Sequence, residues 1–163
     1  LVVLDVDGVL TNGQVWIGAE GKESLKAFDI QDGLGIKLLE QCGIATAIIT
    51  GRNSKMVLAR CEELGIKHVH MGVENKALAL EGVLKTLGLK ASDCAVMGDD
   101  WPDLAMMKQA GLRIAPAQAH EAVKEFAHFV TSRTGGNSAV REACDLILKS
   151  QNRYEELLNK ARN

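Results

Sequence analysis

Two carboxylates set two residues apart, Asp5 and Asp7, close the apolar run Leu1-Val2-Val3-Leu4 and lead directly into Gly8. Three further polar signals follow comparable apolar runs. They are Thr50-Gly51-Arg52 behind Ala45-Thr46-Ala47-Ile48-Ile49, a lone Lys76, and Gly98-Asp99-Asp100 with Asp103 behind Cys94-Ala95-Val96-Met97. These residue types suit a magnesium-dependent phosphoryl transfer. Asp5 can attack phosphorus and carry the phosphoryl group as an acyl phosphate that water later hydrolyses. Asp7 can protonate the leaving oxygen and then deprotonate the water. The Thr50 hydroxyl and the Gly51 amide can hold phosphate oxygens at a helix start. Lys76 supplies a point charge that phosphate and a neighbouring carboxylate can share. Magnesium takes a nearly octahedral shell of hard oxygens and keeps several waters. Asp5, Asp99 and the Asp7 carbonyl would suffice as protein ligands, with Asp100 and Asp103 as positioning groups around them.

Each signal has an ordinary reading when taken alone. Asp-x-Asp-Gly favours a turn, Thr50-Gly51 a helix start, Lys76 a solvated surface, and Asp99-Asp100 a capping cluster. Their occurrence in order, each behind its own apolar run, favours one shared catalytic centre. Open α/β sheets gather ligands at the carboxyl ends of their parallel strands, so separation in sequence is no obstacle.

The elements that must position these residues are legible as short apolar runs alternating with amphipathic stretches, which predicts an α/β fold with a mainly parallel sheet flanked by helices. Strands are predicted at residues 1–4, 44–49, 68–71, 93–97, 112–115 and 129–131. Helices are predicted at 33–42, 54–64, 76–87, 103–110 and 120–127, several stopped by glycine. A single long helix is predicted over 138–160. Residues 14–28 fall outside this rhythm. Val15-Trp16-Ile17, the Gly18-Ala19-Glu20-Gly21 turn and the alternation of Leu25 with Ala27 read as a projecting β-hairpin. A hairpin this small is marginal alone, so it is expected to pack on another subunit, with ordinary core packing as the alternative for Trp16. The linker Arg133-Thr134-Gly135-Gly136-Asn137-Ser138 reads either as a flexible connector or as backbone that approaches a ligand or neighbour closely.

With 163 residues, 47% hydrophobic, the chain suffices for one well-filled core, and residues 1–163 are expected to form one domain. The net charge of -2 has its signs interspersed. That gives no basic stripe for nucleic acid and no polybasic stretch for a membrane surface, so a small molecule or a second copy is the expected partner. No run approaches the roughly 20 apolar residues of a membrane span, and no charged-then-apolar leader precedes the first run. The expectation is a soluble, cytoplasmic protein. Cys42, Cys61, Cys94 and Cys144 show no paired spacing and are expected to be reduced, mostly buried thiols. His68 and His70 alternate on a short strand without a third ligand nearby, and are read as structural rather than as zinc ligands.

Asp5-Val-Asp7-Gly8-Val9-Leu10-Thr11, Thr50, Lys76 and Gly98-Asp99-Asp100-Trp101-Pro102-Asp103 together resemble the four motifs of the haloacid dehalogenase superfamily of phosphatases, over essentially the whole chain. The resemblance implies a Rossmann-like core, an aspartyl-phosphate intermediate and magnesium. Phe28-Asp29-Ile30-Gln31-Asp32-Gly33, Pro116-Ala117-Gln118-Ala119-His120 and Gly135-Gly136-Asn137-Ser138 are similar to a branch without a cap domain. In that branch hairpins from four subunits pack together, and a neighbour's surface and C-terminal segment, here 133–163, cover the pocket. The resemblance therefore implies a homotetramer acting on a phosphosugar acid of eight carbons, with Thr11, Gly51, Arg52 and Lys76 at the substrate. Large-cap relatives insert a domain after the first motif or between the second and third, and neither interval here has room for one.

Arg52 and Arg60 are eight residues apart, a little over two helical turns. Both could face the pocket mouth and bind a carboxylate bidentately, with a solvated helix face as the alternative for Arg60. In similar enzymes acting on nine-carbon sugar acids the position of Arg52 tends to be acidic, which favours the shorter substrate. Ser138 stands where the family usually has glycine, and Trp101-Pro102 is an uncommon filling of the fourth motif. Two other readings stand beside the eight-carbon phosphatase: a phosphatase for nine-carbon sialic-acid-type 9-phosphates, and a phosphatase-like tetramerisation module for a sugar isomerase or cytidylyltransferase.

Overall fold

The computed structural model describes residues 1–163. Six short parallel strands form the central sheet: β1 (Val2–Leu4), β4 (Thr46–Ile49), β5 (His68–His70), β6 (Ala95–Met97), β7 (Leu112–Ala115) and β8 (Phe129–Val130). Their spatial order is β5-β4-β1-β6-β7-β8. β1 sits mid-sheet, in register with Thr46–Ile48 on one side and Ala95–Met97 on the other. Every residue of β1, β4 and β6 is buried, as expected for parallel strands covered on both faces.

Strand alternation divides the apolar side chains between two cores. Val2, Leu4 and Ile48 point toward α1 (Ile30–Gln41), α2 (Lys55–Leu64) and α6 (Ala139–Ser150), where they meet Ile36, Leu39, Val57, Cys144 and Leu148. Val3, Ala47 and Ile49 point the other way. Leu80 and Val83 of α3 (Lys76–Leu87), Met106 and Met107 of α4 (Trp101–Gln109) and Val123 of α5 (Glu121–Phe126) close that side. Burying one such Leu, Ile or Met side chain contributes about 1.5–3 kcal/mol. All four cysteines are free thiols, three of them buried.

Helix ends follow local chemistry. Ser54 and Asn75 cap α2 and α3 through their side chains, and Gly65 and Gly88 end the same helices in the left-handed conformation. Several boundaries differ from expectation, β4 starting at Thr46 rather than at residue 44 among them, and three have a local cause. α1 starts at Ile30 rather than Gly33, because Asp29 accepts the Gln31 amide at 2.6 Å and caps the helix ahead of the glycines. α4 starts at Trp101 rather than Asp103, since Asp100 and Asp103 form a reciprocal capping box. Residues 91–93 form a 3-10 turn, which delays β6 to Ala95.

The long C-terminal helix is a correction. The chain breaks after Ser150 and resumes as α7 (Tyr154–Arg162). Asn152 takes a left-handed φ of 56°, and the Arg153 amide reaches back to the Leu148 carbonyl at 2.9 Å. Asn tolerates that conformation better than most residues. The turn lets Tyr154 and Leu157 fold back onto the α1–α6 core.

The hairpin is present within residues 14–28 as β2 (Trp16–Ile17) and β3 (Glu23–Leu25), paired antiparallel through Trp16 with Leu25 and Ile17 with Glu23. Trp16 is 52% and Ile17 61% exposed, so core packing does not account for them.

The linker before α6 is fastened to the loop after β1. Gln118 donates to the Gly8 carbonyl and accepts the Gly135 amide, both at 2.7 Å, while the Gly136 amide donates to the Val9 carbonyl at 3.1 Å. The approach is so close that a Cβ on Gly135 would lie 1.9 Å from the Gly8 oxygen. A backbone neighbour cannot swing aside as a side chain can. Gly135→Ala should therefore cost about 1–3 kcal/mol, read as a loss of roughly 2–12 °C in thermal unfolding; an unchanged midpoint would contradict this packing.

Candidate active site

Four parallel-strand or helix ends meet at one rim of the sheet. Asp5 leaves β1 with its amide on the Met97 carbonyl at 3.1 Å, and Thr50 leaves β4 with its amide on the His70 carbonyl at 2.9 Å. Lys76 opens α3, and Asp99 follows β6 by two residues. Together with Asp7, Gly13, Gly51, Arg52, Asp100, Pro102 and Asp103, they line an open cleft of about 320 Å³ that has no hydrophobic side chain in its wall.

Lys76 is the centre of this arrangement. Its buried ammonium donates to Asp5 Oδ1 at 2.8 Å and to Asp103 Oδ1 at 2.7 Å. Asp103 Oδ2 accepts the Asp99 amide at 3.0 Å and the Asp100 amide at 3.4 Å, so Asp103 has both oxygens engaged and fixes the Asp99 turn. Gly8 brings Asp99 close to the first loop: a Cβ there would lie 2.0 Å from Asp99 Oδ2. Carboxylate oxygens of Asp5, Asp99 and Asp103 come within 4.8 Å of one another. Asp5 and Asp99 are the pair able to hold a cation, because the oxygens of Asp103 already serve the lysine and two amides.

Electrostatics follow from burial. Desolvation pushes Asp5 up to about 6, with Asp103 adding to the rise and Lys76 opposing it. Desolvation likewise raises Asp99 to about 7, helped by Asp5, Asp103 and Asp100. Burial alone would pull Lys76 down, but Asp5 and Asp103 outweigh it and hold the ammonium above its ordinary value. Such crowding of acids is the condition that a divalent cation relieves.

Of the residues singled out in the sequence, Asp5, Asp7, Thr50, Gly51, Arg52, Lys76, Asp99, Asp100 and Asp103 all reach the cleft. Thr11 and Arg60 are not among its lining residues. The Thr11 hydroxyl donates to the Val6 carbonyl at 3.4 Å and accepts the Gly13 amide at 3.3 Å, so it shapes the loop from inside. Arg60 faces α1 instead. It donates to the Asp29 carbonyl at 3.1 Å and to Glu63 at 2.8 Å, and its guanidinium fills the space that the missing Cβ of Gly33 leaves open.

Sequence reasoning missed Lys26, Glu23 and Gln118. Lys26, whose side chain is 1% exposed, pairs with Asp7 and with Glu23 at 2.9 Å. Desolvation lowers its pKa, yet the bonds to Asp7 and Glu23 prevail and raise it. A signal was available, since the Leu25/Ala27 alternation leaves Lys26 on the opposite side of the strand.

A model of the haloacid dehalogenase-like hydrolase family matches residues 69–144. The 3-deoxy-D-manno-octulosonate 8-phosphate phosphatase of Escherichia coli strain K12 is 44% identical over 156 residues, covering 96% of this chain and 82% of the relative. The chain therefore belongs to the haloacid dehalogenase-like hydrolases. Solved structures agree. The 3-deoxy-D-manno-octulosonate 8-phosphate phosphatase of Moraxella catarrhalis, determined in complex with a magnesium ion, a phosphate ion and a KDO molecule, superposes with a TM-score of 0.94 at 46% identity, over 98% of this chain and 91% of that one. A cobalt-bound phosphatase of the same name from Haemophilus influenzae gives 0.91 at 40% identity, over 94% and 89%.

The raised carboxyls give a testable linkage. Because Asp5 and Asp99 bind protons more tightly folded than unfolded, their contribution to stability is present in full below the ordinary value of 3.8 and is lost as pH rises through about 6 to 7. The metal-free chain should thus lose thermal stability between about pH 5 and about pH 8. Magnesium should restore it, with a larger gain at the higher pH because binding releases protons. At about a hundredfold excess over Kd the gain should be roughly 5–10 °C. An equal gain at both pH values would refute the proton linkage.

Proposed function

We propose that this chain is a magnesium-dependent phosphatase that hydrolyses 3-deoxy-D-manno-octulosonate 8-phosphate to the free sugar acid and phosphate, a step toward a lipopolysaccharide precursor, with residues 1–163 working as one domain. The observation that carries this reading is the buried Lys76 bridging Asp5 and Asp103 at 2.8 and 2.7 Å beside Asp99. Near relatives bearing that activity add the substrate.

Asp5 attacks phosphorus in line with the leaving sugar oxygen, so that the bond from phosphorus to Asp5 forms as the bond to the sugar breaks. Asp7 gives its proton to the leaving oxygen, then takes one from the water that opens the aspartyl-phosphate. Thr50 Oγ1 and the Gly51 amide hold phosphate oxygens, and Lys76 offsets their charge while keeping the attacking carboxylate aimed. Asp5, Asp99 and the Asp7 carbonyl would hold magnesium, which supplies positive charge to the phosphoryl oxygens. Arg52 takes the carboxylate of the sugar acid at the cleft mouth. Retention of the whole charged centre argues against a purely structural tetramerisation module, for which buried charge is only a cost.

Asp5→Asn keeps the shape of the side chain but removes the nucleophile. Turnover of the eight-carbon substrate should fall by at least about a thousandfold while circular dichroism stays unchanged. Appreciable magnesium-dependent phosphate release by the variant would overturn the role of Asp5. Wild-type enzyme should prefer this substrate over sialic-acid-type 9-phosphates and hexose phosphates in a phosphate-release panel.

The assembly is proposed to be a homotetramer in the cytoplasm. Exposed Val15, Trp16, Ile17 and Leu25 on one small hairpin form an apolar surface suited to burial against copies of itself, and free buried thiols fit a reducing compartment. No helix is long and apolar enough to cross a membrane. Trp16→Ala should shift the tetramer toward smaller species on dilution, as followed by analytical ultracentrifugation. A variant that remains tetrameric at the lowest measurable concentration would remove the hairpin from the assembly.

A further inference from the structure

Four charged side chains of alternating sign join the hairpin stem to the cleft. Lys26 pairs with Asp7 and donates to Glu23 Oε1 at 2.9 Å. The same Glu23 oxygen accepts from Arg52 Nη2 at 3.5 Å, and Arg52 Nε lies 3.7 Å from Asp7 Oδ2. The members differ greatly in freedom. Lys26 is 1% exposed and Glu23 12%, whereas Arg52 is 48% exposed. The buried pair is thus a fixed support, and the arginine is a long side chain leaning on it.

Stability alone gives a poor account of this ring. An ammonium taken out of water costs several kcal/mol before its partners repay it, and the two-stranded hairpin contributes little ordering of its own. A free arginine has many rotamers, and each such side chain ordered on ligand binding costs roughly 0.5–1.5 kcal/mol. Glu23 meets part of that cost before substrate arrives, by keeping the guanidinium at the cleft mouth above Asp7. We infer that Glu23, anchored by Lys26, is a positioning residue that presents Arg52 to the substrate carboxylate, so that the hairpin stem is part of substrate recognition as well as of assembly. This rests on the proposed reading of Arg52 as the carboxylate ligand. Glu23 touches no reacting atom. It acts through Arg52, and a longer or neutral group in its place would leave the guanidinium among solvent rotamers.

The test is a mutant cycle on the magnesium-loaded full chain, with Glu23→Gln, Arg52→Ala and the double variant measured on 3-deoxy-D-manno-octulosonate 8-phosphate and on p-nitrophenyl phosphate, which has no carboxylate. Glu23→Gln should raise KM for the sugar acid about two- to tenfold, with a smaller change in kcat and a smaller loss on the aryl phosphate. On the Arg52→Ala background the same substitution should raise KM no further. Equal losses on both substrates, or the same rise in KM with and without Arg52, would overturn the positioning role and leave Glu23 as a support of the hairpin alone. A KM effect of Arg52→Ala without one from Glu23→Gln would overturn only the role of Glu23. Unchanged KM in Arg52→Ala would overturn the carboxylate role of Arg52 and the inference with it.

Discussion

One buried ammonium holds the site together. Lys76 lies between Asp5 and Asp103 with Asp99 alongside, so three carboxylates face a single, buried positive charge at the floor of the cleft. Removing the lysine would leave uncompensated acids, the most expensive defect a buried polar cluster can suffer. Keeping it leaves an excess of negative charge, and a divalent cation is the natural complement. The cluster is poised between these limits: cohesive enough to fold, but more acidic than its one lysine can balance without a cation.

That balance dictates much of the surrounding architecture. β1 must lie mid-sheet so that its end can meet both β4 and β6, and α3 must begin at Lys76 so that the ammonium projects toward the strand ends. Asp103 does two jobs at once, capping the first turn of α4 and bonding Lys76. The local rule for starting a helix and the long-range rule for neutralising charge therefore select the same side chain. Gly8 and Gln118 serve the same end from the other side, by letting Asp99 approach and by tying the first loop to the linker before α6.

The parts of this design that were readable in the sequence are those in which local and global demands agree. Leu1–Leu4, Ile44–Ile49 and Cys94–Met97 are apolar runs that lead into Asp5, Thr50 and, one residue past Gly98, Asp99. The parts that were not readable depend on partners distant in sequence. Arg60 looked suited to the pocket from its spacing to Arg52, yet its direction is decided by the Asp29 carbonyl and by the room above Gly33. Thr11 carried a motif position but spends its hydroxyl on its own loop. The predicted 138–160 helix kept its periodicity through Asn152, and only the pull of Tyr154 and Leu157 toward the α1–α6 core shows why it must turn there. Lys26 is marked in the sequence only by the Leu25/Ala27 alternation, and its role comes from Asp7 and Glu23 around it.

The hairpin stem connects an exposed apolar surface to the cleft. A cleft lined mainly by charged side chains lies open to water, and phosphoryl transfer gains from a site that excludes it. Nothing large enough to close the cleft lies between the motifs, while the hairpin, which exposes Val15, Trp16, Ile17 and Leu25, is also the element wired to Asp7 and Arg52. Burial of that apolar face would hold the stem still, and a still stem holds Glu23 and Lys26. If hairpins pack together as proposed, assembly and substrate recognition draw on the same few side chains.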